Sequence, residues 1–324
     1  MLSHNEDLKV VEHLQNCRNA GALCFLAILL VFAFAADAAR AEQSGAKAHT
    51  RIISIGGSIT EIIYALGAAD GLIAVDTTSR YPLAATRLPN VGYMRQLAIE
   101  PILALNPTIV LAESDAGPPT VLKQLRAAGV MLRIIPDNPS PQGVVDKIRS
   151  VASALGTESK SEALISHLES EFSRLENRAL TAEKRPTVLF LLSVGSGTPL
   201  AAGRETSAAR IIELAGGRNA IEAFEGFKPL SPEVIAAANP DVILVTERTR
   251  KRLGGADGVM RRPEIAVTPA GQKGHLVTMD GLLLLGFGPR TPTAIEMLAA
   301  ALHPSPADDL NVALENAQYS SIEP

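Results

Sequence analysis

Leu97-Ala-Ile-Glu100-Pro-Ile-Leu-Ala-Leu-Asn106-Pro107-Thr-Ile-Val-Leu111 returns 133 positions later as Leu230-Ser-Pro-Glu233-Val-Ile-Ala-Ala-Ala-Asn239-Pro240-Asp-Val-Ile-Leu244. Each copy reads as a short helix, an Asn-Pro break and an apolar strand. Proline ends the helix and drives the preceding residue out of the right-handed region. The β-branched run that follows suits a strand buried on both faces. Two copies this far apart predict two similar α/β lobes, and a cleft between lobes is where small ligands are usually held.

The pattern around each copy extends the reading. A strand at 51–55, a helix from Ser58 to Leu66, a strand at 72–75 and the polar loop Asp76-Thr-Thr-Ser-Arg80-Tyr81-Pro82 precede the first copy. A helix at 120–128 and a strand at 131–135 follow it, giving the β-α-β alternation of a parallel sheet covered by helices. Ser58 and Glu61 have capping-box spacing. Residues 141–184 are helical, divided at Gly156. Their second part carries Leu164, Leu168, Phe172, Leu175 and Leu180 as one apolar stripe. The expected architecture is therefore two Rossmann-like α/β lobes, at 50–155 and 185–303, joined by a linking helix at 156–184. The second lobe contains strands at 187–192, 242–245 and 275–279, a charged loop at 247–252 and a last helix at 293–302. A frayed tail occupies 304–324.

The first 41 residues stand apart. Ala20–Ala36 is an unbroken apolar run, preceded by Arg18 and followed by the small-x-small sites Ala36-Asp-Ala38 and Ala39-Arg-Ala41. That pattern predicts a secretory signal, with an uncleaved membrane anchor as the alternative. Both cysteines, Cys17 and Cys24, lie within it. The exported chain would then hold no disulfide, and its core is large enough to need none. Net charge is −4 for the whole chain, which argues against nucleic acid as the main partner.

The enzyme motifs G-x-S-x-G, H-E-x-x-H, C-x-x-C and the Walker loop do not occur. Ile55-Gly-Gly-Ser58 either cradles an anion at a helix N-terminus or is simply a strand-to-helix turn. Tyr81 follows the second strand, at the edge where open α/β sheets bind ligands. Read locally, it is either a packing residue or a metal ligand. Ferric iron holds a phenol as phenolate, neighbouring guanidinium charge assists that ionisation, and tyrosinate is a known haem ligand.

Asp76-Thr-Thr-Ser-Arg-Tyr81-Pro82, Leu88-Pro-Asn-Val-Gly-Tyr93-Met-Arg95, Glu100 with Asn106-Pro107, Gly197-Thr-Pro-Leu-Ala-Ala-Gly203 and Leu285-Gly-Phe-Gly-Pro-Arg290-Thr-Pro292 together resemble the periplasmic haem-binding proteins of bacterial haem-uptake ABC transporters. The resemblance covers about residues 50–302. It implies a haem carrier, not an enzyme, with two rigid lobes and Tyr81 as axial ligand of the haem iron; Tyr93 is the fallback. It implies that Glu100 and Glu233 dock on the ABC permease at the inner membrane. Haem propionates call for cations, for which Arg248, Arg80 and Arg290 are the candidates; the competing readings are a solvated charge run at Arg248 and a structural role at Arg290. The cleft loop Leu191–Gly197 has no histidine, and His167 and His275 read as exposed or structural, which leaves a second axial ligand without a candidate. A siderophore or cobalamin carrier is the alternative within the class. An exported α/β enzyme and a ligand-free adaptor to the permease are the alternatives outside it.

Overall fold

Two parallel-stranded sheets form, each around one copy of the repeat. The structure, a computed structural model, describes residues 50–192 and 199–304. The apolar leader with its two cysteines, most of the cleft loop after Leu192 and the segment after Pro304 lie outside the described residues. In the first lobe β1 (Ile52–Ile55), α1 (Gly57–Ala65), β2 (Leu72–Val75), α2 (Ile99–Leu103), β3 (Ile109–Glu113), α3 (Pro119–Ala127) and β4 (Met131–Ile135) alternate. The strand order is β2-β1-β3-β4, all parallel. Order reverses between β1 and β3, so the crevice at their carboxyl ends is the switch point where such sheets accept ligands.

Helices α4 (Pro141–Leu155) and α5 (Glu158–Leu180) follow, separated by Gly156 in the left-handed conformation at φ 66°. The second lobe contains β5 (Thr187–Leu192), β6 (Leu200–Ala202), α6 (Ser207–Leu214), β7 (Arg218–Asn219), β8 (Phe227–Pro229), α7 (Pro232–Ala238), β9 (Val242–Thr246), α8 (Glu247–Arg252), α9 (Gly255–Met260), α10 (Pro263–Ala266), α11 (Pro269–Lys273), β10 (Leu276–Met279), α12 (Gly281–Leu285) and α13 (Thr291–Leu302). Its sheet runs β10-β9-β5-β6-β8, with β6 and β8 antiparallel and β7 paired to β5. This mixed edge is a departure from a purely doubly wound lobe.

The repeat explains the correspondence between lobes. β3 lies between β1 and β4, and β9 lies between β5 and β10. Asn106 and Asn239, the residues before each proline, both adopt φ 46°. That left-handed conformation is one Asn tolerates better than most residues, and it turns the chain sharply from helix into strand.

A continuous core ties the lobes together. One apolar cluster contains Ile52, Ile59 and Ile63 of the first lobe, Val144 and Ile148 of α4, Leu168 and Phe172 of α5, and Val188, Phe190 and Leu298 of the second lobe. Separate clusters fill the outer face of each sheet. Withdrawing one such side chain from its packing costs about 1.5–3 kcal/mol, so wide hinging at this seam is costly. The link between lobes is thus a pair of packed helices, α4 as well as α5.

Two local expectations are corrected. The 247–252 segment is helical, not a loop, because Thr246 Oγ1 accepts from Thr249 N at 3.1 Å and caps it. The capping box at Ser58 does not form: α1 is preceded by Gly56 at φ 122°, with no side-chain cap.

Candidate functional site

The carboxyl ends of β1, β2 and β3 are crossed by loops held in place by a single carboxylate. Asp76 accepts from Gly56 N (3.1 Å), Thr78 N (3.0 Å) and Ser79 Oγ (2.9 Å), which fixes the segment leading to Tyr81. Thr77 N donates to Gly92 O at 2.9 Å and ties in the strip carrying Tyr93. Tyr81 is 46% exposed, and its phenol oxygen makes no hydrogen bond among the described residues.

Arg290 reaches it from the second lobe. Its guanidinium carbon lies 3.7 Å from the centroid of the Tyr81 ring. The same guanidinium is clamped by Glu61 of α1, Nε to Oε2 at 3.0 Å and Nη2 to Oε1 at 2.5 Å. Such bidentate pairing gives geometric precision as well as energy. Burial raises the Glu61 carboxyl above its ordinary range, and the bonds from Arg290 oppose that. Burial depresses the Arg290 guanidinium, but the Glu61 bonds outweigh it and the net direction is upward. Glu61 therefore serves the opposite lobe rather than its own helix cap.

Tyr93 has a parallel arrangement within the first lobe. Arg95 Nη1 donates to its phenol oxygen at 2.6 Å, and Arg95 pairs with Asp115. Arg80 is exposed and Arg248 lies exposed on the first turn of α8; neither makes an ion pair among the described residues. Tyr81 and Arg290 are thus brought together, while no hydrogen bond, ion pair or ring contact among the described residues joins the Arg80 or Arg248 side chain to either of them.

The Gly56-Gly57-Ser58 turn is occupied by a carboxyl group of the protein itself. A Cβ on Gly56 would lie 2.6 Å from the Glu113 carboxyl carbon, so only glycine leaves room for that side chain. Glu113 Oε1 accepts from Ser58 Oγ at 2.5 Å. Burial pushes the Glu113 carboxyl up to about 7, against the pull of Lys147 and the Ser58 hydrogen bond. Lys147 itself is fully buried and donates to Ser58 Oγ, Asp137 Oδ1 and Gly286 O. The sequence pattern marks Glu61 only as half of a capping box, and marks neither Glu113 nor Lys147. The available signal was Lys147 standing among Val144, Val145, Ile148 and Val151 on the apolar face of α4.

Glu100 and Glu233 occupy equivalent first turns, of α2 and α7, and both are exposed. In a helix-to-parallel-strand crossover the helix runs against its strand, which sets both first turns toward the cleft edge. A hydrogen bond from Ser231, with Glu233's own amide, holds the Glu233 carboxyl below the usual range. His275 Nε2 lies 3.3 Å from Ala301 O, and His167 is exposed on α5. No cluster of three or more His, Cys, Asp or Glu able to hold a metal ion occurs among the described residues, and no described helix is long and apolar enough to cross a membrane.

Known proteins share this architecture. The periplasmic heme-binding protein RhuT from Roseiflexus sp. RS-1, in apo form, superposes with a TM-score of 0.75 at 44% identity, covering 78% of this chain and 97% of that one. An uncharacterized ABC transporter substrate-binding lipoprotein, YvrC of Bacillus subtilis, is 27% identical over 83% of this chain and 84% of its own length. A vitamin B12-binding protein of Yersinia pestis is 30% identical over 62% of this chain and 71% of its own. The model of the periplasmic binding protein family matches residues 52–282, and the chain belongs to that family.

Proposed function

We propose that this protein is an exported carrier that captures ferric haem in the cleft between its lobes and presents it to an ABC permease in the inner membrane. Tyr81 is the iron ligand, through its phenolate oxygen, and Arg290 stabilises that anion from the second lobe. The observation that carries this reading is the stacked, carboxylate-clamped guanidinium over a half-exposed tyrosine at the switch-point edge. A packing tyrosine needs no such charge; a ligand that must ionise does.

Arg80 and Arg248, both exposed at cleft-edge positions, receive the propionates. Arg290 has two of its nitrogens committed to Glu61 and so acts mainly on Tyr81. Tyr93 borders the site, and Glu100 and Glu233 set permease docking and orientation. The lobes, 50–155 and 185–303, work as fixed jaws on the linking helices, and residues 1–41 serve as the export signal. No bond is made or broken in the cargo, so the role is transport rather than catalysis.

The test is absorbance of the purified protein with added hemin. A tyrosinate-to-iron charge-transfer band that disappears in Tyr81→Phe supports the reading; an unchanged spectrum and affinity overturn it. A corrinoid cargo is the second reading, favoured by the vitamin B12-binding relative. Competition between cyanocobalamin and hemin separates the two, because a corrinoid arrives with its metal already ligated and does not require Tyr81.

A further inference from the structure

A second set of contacts crosses from lobe to lobe beneath Tyr81 and Arg290. Lys147, on α4, has three ammonium protons and three acceptors: Ser58 Oγ at 3.0 Å, Asp137 Oδ1 at 2.7 Å and Gly286 O at 3.2 Å. Ser58 belongs to α1, Asp137 to the loop after β4, and Gly286 to the turn after α12 in the second lobe. An ammonium has three donors, so this one is fully used. The bodies it joins are in tight contact. A Cβ on Gly57 would meet Leu282 at 2.5 Å, and one on Gly288 would lie 3.4 Å from both Ser58 Cβ and Glu61 Oε2. Gly286 and Arg290 stand on one turn, so whatever fixes Gly286 also fixes where Arg290 begins.

We propose that Lys147 is a positioning residue for the cargo cleft: its ammonium, seated between the lobes, sets the separation between Tyr81 and the second-lobe turn that carries Arg290. The link to cargo rests on the haem reading; the link between lobes does not. A buried lysine kept only for stability would have no need of an acceptor in the second lobe. The groups around it are Ser58 and Glu113 on one side, Asp137 on another, and Glu61 toward Arg290.

The experiment uses the full chain with Cys17 and Cys24 changed to Ser, and spin labels at Gln124→Cys on α3 and Lys251→Cys on α8, both exposed positions. The parent should give one narrow interlobe distance without hemin. Lys147→Met should broaden it, speed hemin loss roughly tenfold, as coupling within one network does, and weaken the tyrosinate charge-transfer band. Ser58→Ala, a smaller change that removes one of the two first-lobe partners of Lys147 together with the hydrogen bond to Glu113, should shift all three readings the same way and serves if Lys147→Met does not fold. A folded variant with an unchanged distance distribution overturns the proposal, and so does a broadened one with unchanged hemin loss. Tyr81→Phe, measured alongside, keeps the cargo reading separate: if its hemin spectrum matches the parent, that reading fails while the distance data still decide the strut.

Discussion

Arg290 lies face-on to Tyr81 at 3.7 Å, although the two residues belong to different lobes and stand 209 positions apart in sequence. A guanidinium at this distance favours a negatively charged ring oxygen over a neutral one. Arg290→Gln should therefore leave Tyr81 in place but weaken hemin binding by about 1–2 kcal/mol, roughly tenfold. The charge-transfer band should weaken along with it at a given hemin concentration. Hemin titration followed by absorbance checks this, and a parental affinity in Arg290→Gln sinks it.

Glu61 holds that guanidinium from beneath, with 5% of its side chain exposed against 25% for Arg290. Glu61→Gln keeps the shape, loses the charge and leaves Arg290 without its counter-ion. The expected cost is about 2 kcal/mol of unfolding free energy, the scale of a charge-assisted pair. Hemin affinity should fall in parallel with Arg290→Gln, and the double variant should be no worse than the poorer single one. Full additivity in the double cycle would show that Glu61 does not act through Arg290.

The repeat carried the lobes, and the loop after the second strand carried Tyr81, because both are written in local pattern: Asn-Pro breaks, apolar runs and turn residues. What the sequence did not disclose is pairing across long separations. Glu61 has capping-box spacing to Ser58, yet it faces Arg290 229 positions away. Nothing in the residues near Glu61 marks that partner. Glu113 ends an otherwise apolar strand, and its partner Ser58 is 55 positions off. Arg290 was readable as a cation near the cleft, but its commitment to Glu61 was not. The 247–252 helix was obscured by its run of basic residues, which outweighed the Thr246 cap in a local reading.

Asn106 tests the deciding stretch itself. At φ 46° an alanine costs about 1 kcal/mol, because its Cβ crowds the following carbonyl where Asn is tolerated. Asn106→Gly should be close to neutral. Asn239→Ala should behave as Asn106→Ala does, since the second copy has the same angle. Urea unfolding of the three single variants checks this; an alanine variant as stable as the parent in either lobe would deny that the turn selects Asn.

Glu113 predicts how stability follows pH. Its folded carboxyl titrates near 7, above the ordinary 4.5, because burial disfavours the charge. A raised folded value means the native state holds the proton more tightly than the unfolded chain. The stabilisation is complete below about 4.5 and is lost as pH rises through 7, on the order of 3 kcal/mol in total. Glu113→Gln keeps an acceptor for Ser58 and removes the titration. The variant should therefore gain relative to the parent as pH rises from 5 to 8. Equal slopes for the two proteins over that range would contradict the assignment.

In the proposed docking role, Glu100 and Glu233 bear on delivery alone. Both are exposed on the first turns of matching helices, and no hydrogen bond or ion pair among the described residues joins either to Tyr81 or Arg290. Reversing either to Lys should slow transport, since a like charge set against a basic surface costs several kcal/mol and lowers the encounter rate. Reversing both should abolish uptake while the hemin spectrum and affinity stay at parental values. The check is paired: hemin titration of purified protein, and uptake in cells or vesicles containing the permease. Loss of hemin binding in the double variant would place these glutamates in the cargo site, and parental uptake would remove them from docking.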